Sequence, residues 1–399
     1  MSRPAGAISL SVAVVLLVGL GGSAASADDP TFPSWADVLQ AEQNAAAKKA
    51  EITKITGLIG TLQAQSAAAG KVALIAGEQY LQAKDALDSA TQTADKLAAQ
   101  STTAKHKASV SSREAGQLAA QLAREGNGNL TLSLLLDGKH ANNLLDVLGT
   151  MNKLGAATDR VFQQAEQDQK NAKALSDQAA VAKTDRTSAA AAAQTTLAAA
   201  NAASSAAQAK VSAQTAQQNV LTAQLSSLTG TSASVLAAYY AGVAWQAKQA
   251  AQKTPPPDAT PPGPVPGAPV GSAVAAAIAF AEAQLGKPYV LDGFGPDAWD
   301  CSGLTKAAWA AAGINIGPHG STSQYNTLQS ENRLVPLSDR QPGDLLWYSD
   351  GGSTTATKYH VTLYIGNNQM IEAPYPGVNV RIAAIRYGDL VPFAGRPTG

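Results

Sequence analysis

Between Pro33 and Pro255 no proline interrupts the chain, and apolar residues recur three and four apart in a background of Ala, Gln, Lys, Asp, Ser and Thr. Ile52, Ile55, Ile59 and Leu62 make one such stripe, Leu118 and Leu122 another. This spacing, in strong helix formers, predicts long helices. Alanine at the seam lets helices approach closely but buries little apolar area, which predicts a thin antiparallel coiled coil. Two breaks are expected: a hairpin turn at Ser66–Lys71, around Gly70, and a stop at residues 125–129, which read EGNGN. Leu130–Leu136, with Leu144, Leu145, Val147, Leu148, Met151 and Leu154, is expected to form an apolar head. From Ala141 to Leu228 the helical pattern resumes, a rod of roughly 130 Å at about 1.5 Å per residue. Gly230 breaks it, and Ser232–Gln252 reads as a last helix.

The pattern then changes twice. Residues 254–272 hold eight prolines and read as an extended, semi-rigid linker. From Ala273 the helical period gives way to short apolar runs bounded by Gly, Pro and Asn. Ala273–Leu285 and Ser302–Ala312 are expected helices. Asp344–Tyr348, His360–Ile365, Gln369–Ala373 and Val378–Ile382 are expected strands. A helix followed by a run of strands argues an α+β domain with an antiparallel sheet. The expected organisation is therefore a leader over 1–27, an alanine-rich helical stalk over 28–253, the linker over 254–272 and an α+β domain over 273–399.

The leader is expected from Arg3, the apolar run Ile8–Leu20 and the small residues Ala25-Ser26-Ala27 before Asp28, the plan of a secretory signal. An uncleaved anchor is the alternative, against which the shortness of the run speaks. Twenty-nine basic residues balance 29 acidic ones, so charge offers no reason to expect nucleic acid as a partner. A single cysteine excludes an intramolecular disulfide. In an exported chain, a free thiol points either to chemistry or to an inert buried side chain.

Cys301 stands in Trp299-Asp300-Cys301-Ser302-Gly303-Leu304. Asp300 is a natural N-cap, which puts the thiol in the first helical turn, where the dipole and unpaired N–H groups favour thiolate. Of four histidines, His106 and His140 lie in the stalk, so a base for Cys301 within this domain is His360 or His319. Glu372 follows His360 across the turn signal Gly366-Asn367-Asn368. A three-residue loop would set Thr362 opposite Glu372, with His360 its diagonal neighbour on one face. A two-residue turn would flip Glu372 away. No metal-ligand constellation and no phosphate loop is visible, so no cofactor is expected.

Residues 273–399 resemble the NlpC family of papain-like cysteine peptidases, which cut peptidoglycan peptides. The match runs through Gly286-Lys287-Pro288-Tyr289-Val290, Gly295-Pro296, Asp300 to Leu304, and Pro318-x-x-Ser321-x-x-Gln324. It continues through Pro342-Gly343-Asp344-Leu345, His360-Val361, Tyr364-Ile365-Gly366-Asn367 and Met370 to Pro374. The stalk is similar to that of actinobacterial members, beginning at residues 33–38. The resemblance implies Cys301 as nucleophile, His360 as base and Glu372 as the orienting residue, with Tyr289, Asp300 and Ser302 lining the substrate cleft. It implies a secreted or wall-associated endopeptidase acting on stem peptides, favouring the bond from γ-D-glutamate to the diamino acid. Leu291-Asp292-Gly293 departs from the family's common Trp-Gly-Gly, and His319 stands where many members carry arginine. A non-catalytic wall-binding scaffold and a muramoyl amidase on the same residues are the rival readings. For the stalk three roles stay open: positioning the enzyme, binding a protein partner, or lying over the cleft and inhibiting it.

Overall fold

The computed structural model describes residues 33–125, 141–230 and 271–398. The leader over 1–27, the Leu130–Leu136 run, the Ser232–Gln252 helix and the 254–272 linker lie outside the described residues. So do the side chains of Leu144, Leu145, Val147, Leu148 and Met151, while Leu154 is exposed.

Helix α1 spans Trp35–Glu42, entered through a capping box in which Ser34 and Asp37 satisfy each other's backbone N–H groups. Two long helices follow, α2 over Ala45–Glu125 and α3 over Ala141–Thr229. They pair antiparallel. Moving up α2 from Gln65 through Asp95 to Lys107, the partners on α3 descend from Gln214 through Arg186 to Asp168. At the base, Ile55, Ile59 and Leu62 pack with Val38, Leu221, Leu225 and Leu228, so the first expected stripe is core. Farther along, the seam is alanine: Ala104, Ala108 and Ala172. The second expected stripe is not core, since Leu118 is only partly buried and Leu122 is exposed.

The expected turn at Ser66–Lys71 is absent, and α2 runs through it unbroken. One glycine in a long helix costs only about 1 kcal/mol, too little to break it. Gly70 has another reason to be there: a Cβ at that position would lie 2.4 Å from Cγ of Tyr375 in the C-terminal domain.

That domain opens with α4 (Ser272–Glu282), α5 (Cys301–Ala311) and α6 (Ser321–Ser330), the last unforeseen. Six strands follow: β1 (Leu334–Pro336), β2 (Leu345–Ser349), β3 (Lys358–Gly366), β4 (Gln369–Glu372), β5 (Arg381–Ala384) and β6 (Leu390–Gly395). They form one antiparallel sheet in the order β1-β6-β2-β3-β4-β5. Two strands, β1 and β6, were not foreseen, and β5 begins at Arg381, three residues beyond the expected start. Trp309, Ile316, Leu328, Trp347, Val361 and Leu363 form the domain core, with the helices packed over the central strands. The fold is α+β with an antiparallel sheet, attached to a long antiparallel helix pair.

Candidate active site

Asp300 caps α5 as its sequence predicts. Its Oδ1 accepts from the backbone N–H of Gly303 at 2.7 Å and from the Ser302 hydroxyl at 3.0 Å. Cys301 therefore occupies the first residue of the helix, free of any disulfide. Its thiol takes the backbone N–H of Val361 on β3 and lies 3.9 Å from the Ser321 hydroxyl. Burial and the negative charges of Asp300 and Glu78 push that thiol far up, outweighing the Val361 and Ser321 hydrogen bonds.

His360 is the residue next to Val361, and it is fully buried. Its Nε2 lies 2.8 Å from Oε2 of Glu372. With the carboxylate as acceptor, Nε2 carries the proton and Nδ1 keeps a lone pair. That Nδ1 has no hydrogen-bond partner among the described residues. Burial lowers the pKa of His360, and Arg386 and Arg381 reinforce the effect against the pull of Glu372. The ring is held neutral, as a base must be.

The loop-parity question has a third answer. The turn is two residues, Asn367 and Asn368, both with positive φ as a hairpin of this length requires. A register shift between Tyr364 and Gly366 then adds the missing residue. Leu363 consequently faces Ile371, and Glu372 falls on the face of Thr362 and His360. The bulge does what the longer loop was expected to do.

Sequence reasoning missed what surrounds Glu372. Arg386 donates to both of its oxygens at 2.8 and 2.6 Å, and Arg381 donates twice at 3.1 Å. Against the cost of complete burial, these cations hold the Glu372 carboxyl well below its usual range. Arg381 was legible: it pairs directly with Glu372 across β4 and β5. Arg386 lies beyond the strand, where no pattern places it.

The other expected site residues also gather here. Tyr289 is buried, which raises its hydroxyl, and the negative charges of Asp300 and Glu78 add to the effect. His319, the other candidate base, is engaged elsewhere. Its Nε2 lies 2.9 Å from both oxygens of Asp300, and its Nδ1 lies 3.3 Å from Asp292. Burial opposes a charge on this ring, but the two carboxylates outweigh it and raise its pKa.

The residue that nothing in the sequence announced is Glu78, from the stalk. Its oxygens accept the backbone N–H groups of Ser321 and Thr322 at 2.9 Å each, at the N-terminus of α6. Around it α2 lies against the C-terminal domain. Leu74 enters the domain's apolar core, and Gly77 abuts Leu291. Lys84 meets Asp292 at 2.5 Å, and Lys71 bridges Asp350 and Asp389 at 2.8 and 2.9 Å. Cys301 keeps 6% of its surface.

Residues 286–395 match the model of the NlpC/P60 family. Peptidoglycan endopeptidase RipA of Mycobacterium tuberculosis is 37% identical over 127 residues, covering 29% of this chain and 25% of that protein. Peptidoglycan endopeptidase RipB of the same species is 36% identical over 137 residues, covering 31% of this chain and 53% of that protein. The solved structure of the peptidoglycan hydrolase RipB from that organism is 34% identical, covering 33% of this chain and 72% of that one, with a TM-score of 0.27. The chain spans between a quarter and about half the length of these curated relatives. Its C-terminal domain belongs to the NlpC/P60 family, whose members among these relatives are actinobacterial peptidoglycan endopeptidases.

Proposed function

We propose that this protein is a wall-acting cysteine endopeptidase, held closed by its own stalk. The observation that carries the reading is the buried His360, whose Nε2 is fixed on Glu372 while Nδ1 keeps an unclaimed lone pair beside the strand residue that contacts Cys301. Nδ1 takes the thiol proton. The thiolate attacks an amide carbonyl of a peptidoglycan stem peptide, and charge collects on the carbonyl oxygen. Backbone N–H groups at the start of α5, with the Tyr289 hydroxyl, stabilise that oxyanion. The imidazolium then gives its proton to the departing amine, leaving a thioester that water hydrolyses. Asp300 and Ser302 shape the cleft beside the nucleophile. The favoured bond joins γ-D-glutamate to the diamino acid, and the site of action is the wall outside the cell.

Three features support inhibition by the stalk. The docked α2 packs on β3 and α6, the elements flanking the buried Cys301. The Glu78 carboxylate occupies two N–H donors beside the thiol. Its charge also helps keep the thiol protonated. The test is digestion of purified peptidoglycan by the full chain and by residues 273–399, each beside its Cys301→Ala variant, with products read by mass spectrometry. Fragments ending in γ-D-glutamate, released only with the native cysteine and faster from the shorter form, are expected. Release by the pure Cys301→Ala variant would overturn the peptidase, and equal rates from the two forms would overturn the inhibition.

A further inference from the structure

Asp292 is the least explained residue at the edge of the cleft. It sits at φ +57°, in a turn closed by the Gly293 N–H on the Val290 carbonyl at 3.0 Å. That position in such a turn suits glycine or asparagine, and a non-glycine residue held there is a prompt to look for a role. The turn is fastened to the nucleophile's helix: the Asp300 N–H donates to the Gly293 carbonyl at 2.9 Å, and a Cβ on Gly303 would lie 2.0 Å from that same oxygen.

The two oxygens of Asp292 have different neighbours. Oδ1 faces His319 Nδ1 at 3.3 Å, within its own domain. Oδ2 faces only the stalk among the described residues: Lys84 Nζ at 2.5 Å and the Tyr80 hydroxyl at 3.4 Å. When α2 leaves the cleft, Oδ1 keeps its partner and Oδ2 loses both. What remains is one carboxylate oxygen, rigidly placed, from which a cation has just departed. A single free oxygen suits the compact ammonium group; a planar guanidinium would use two.

We propose that Asp292 is an ammonium-binding subsite of the cleft, which Lys84 fills while the stalk is docked and a free amine of the stem peptide fills during turnover. The inference rests on the peptidase reading and adds a substrate requirement to it. Glu78 and Lys84 lie six residues apart, about 9 Å along α2, so one helix presents both a carboxylate and an ammonium to the domain, as an amino-acid ligand does. A stem peptide offers two sources of ammonium: its N-terminus, once released from the glycan, and the unlinked side-chain amine of the diamino acid.

The test uses the full chain carrying Cys301→Ala, opened by Glu78→Lys with Lys84→Ala, so that Oδ2 is vacant. The probe is the synthetic peptide L-alanyl-γ-D-glutamyl-diaminopimeloyl-D-alanine, with binding measured by calorimetry. Asn tolerates positive φ, so Asp292→Asn preserves the turn while removing the charge. It is expected to weaken binding about tenfold or more, as loss of a charge-assisted hydrogen bond does. Acetylating the recognised amine should weaken binding to the parent equally and have little further effect on Asp292→Asn. The amine whose acetylation matters identifies the source. Unchanged binding by Asp292→Asn, indifference to both acetylations, or no binding by the opened parent would each overturn the subsite. Binding as expected, with no cleavage once Cys301 is restored, would count against the peptidase reading alone.

Discussion

Five hydrogen bonds converge on the carboxylate of Glu372, two from Arg386, two from Arg381 and one from His360. A buried anion tolerates this site only because two cations offset its desolvation. The arginines keep Glu372 charged, and charged Glu372 keeps the His360 proton on Nε2. The free nitrogen of the proposed base is thus set at one remove, by the arginines that hold Glu372. Glu372→Gln leaves the size unchanged but strands Arg386, which is partly buried against the Tyr348 ring. With the stranded arginines partly screened by solvent, the loss should be about 2–3 kcal/mol, below the full cost of breaking a buried pair, which urea denaturation should register. Activity should fall by about 10²- to 10⁴-fold, the range typical of a lost orienting carboxylate. A variant within 1 kcal/mol of the parent and equally active would show that the arginines orient His360 without it.

At the scale of elements, α2 carries two seams. One faces α3. The other faces the C-terminal domain through Lys71, Leu74, Glu78, Leu81 and Asp85, alternately three and four residues apart. That is the spacing of a helix laid on a partner surface, and Gly70 and Gly77 sit at its tight points. Gly70→Leu tests this seam. It should raise helix propensity by up to about 1 kcal/mol and still weaken docking, because Tyr375 occupies the space. Unchanged helicity by circular dichroism with at least tenfold faster wall digestion is expected; unchanged digestion would mean that this end of the seam does not hold the cleft closed. The second seam also shows where the sequence is readable and where it is not. The fold class, the α5 cap and the β3–β4 hairpin follow from local pattern and spacing, whereas the choice of His360 over His319 comes from the family resemblance and the pairing with Glu372 depends on a loop parity that the sequence leaves open. Gly70 was misread because a glycine that admits a ring and a glycine that turns a chain look alike in one dimension. Helix α6 was missed because Ser321–Ser330 is polar, and Glu78 because its partners lie more than 240 residues away.

In the whole molecule, closure is a balance between burial and charge. Leu74 contributes roughly 2 kcal/mol by leaving water, and the ion pairs of Lys71 and Lys84 add to it. Glu78 pulls the other way. Burial pushes its pKa up to about 7, although the Thr322, Gln82 and Ser321 hydrogen bonds oppose the shift. In the open state, exposed to water, the same carboxyl titrates near the ordinary value of about 4.5. Between those values the closed form binds the extra proton, so closure is strongest below about pH 4.5 and weakens as pH rises towards 7. Above 7 both forms are ionised and the dependence flattens. The pairs of Lys71 act in the opposite sense, but only where Asp389, whose pKa is lowered, becomes protonated, well into acid. The window from about pH 5 to 7 is set chiefly by Glu78, whose contribution is up to about 3 kcal/mol at 1.4 kcal/mol per unit; His319, whose pKa the docked Lys84 lowers, acts in the opposite sense. Hydrogen exchange at the amides of Ser321 and Thr322, corrected for its intrinsic pH dependence, reads the opening directly. Protection should decline by one to two orders of magnitude from pH 5 to 7. In Glu78→Gln, which cannot ionise, it should be flat. A decline of equal steepness in that variant would move the pH dependence to another group and leave the Glu78 carboxyl as a simple cap on α6.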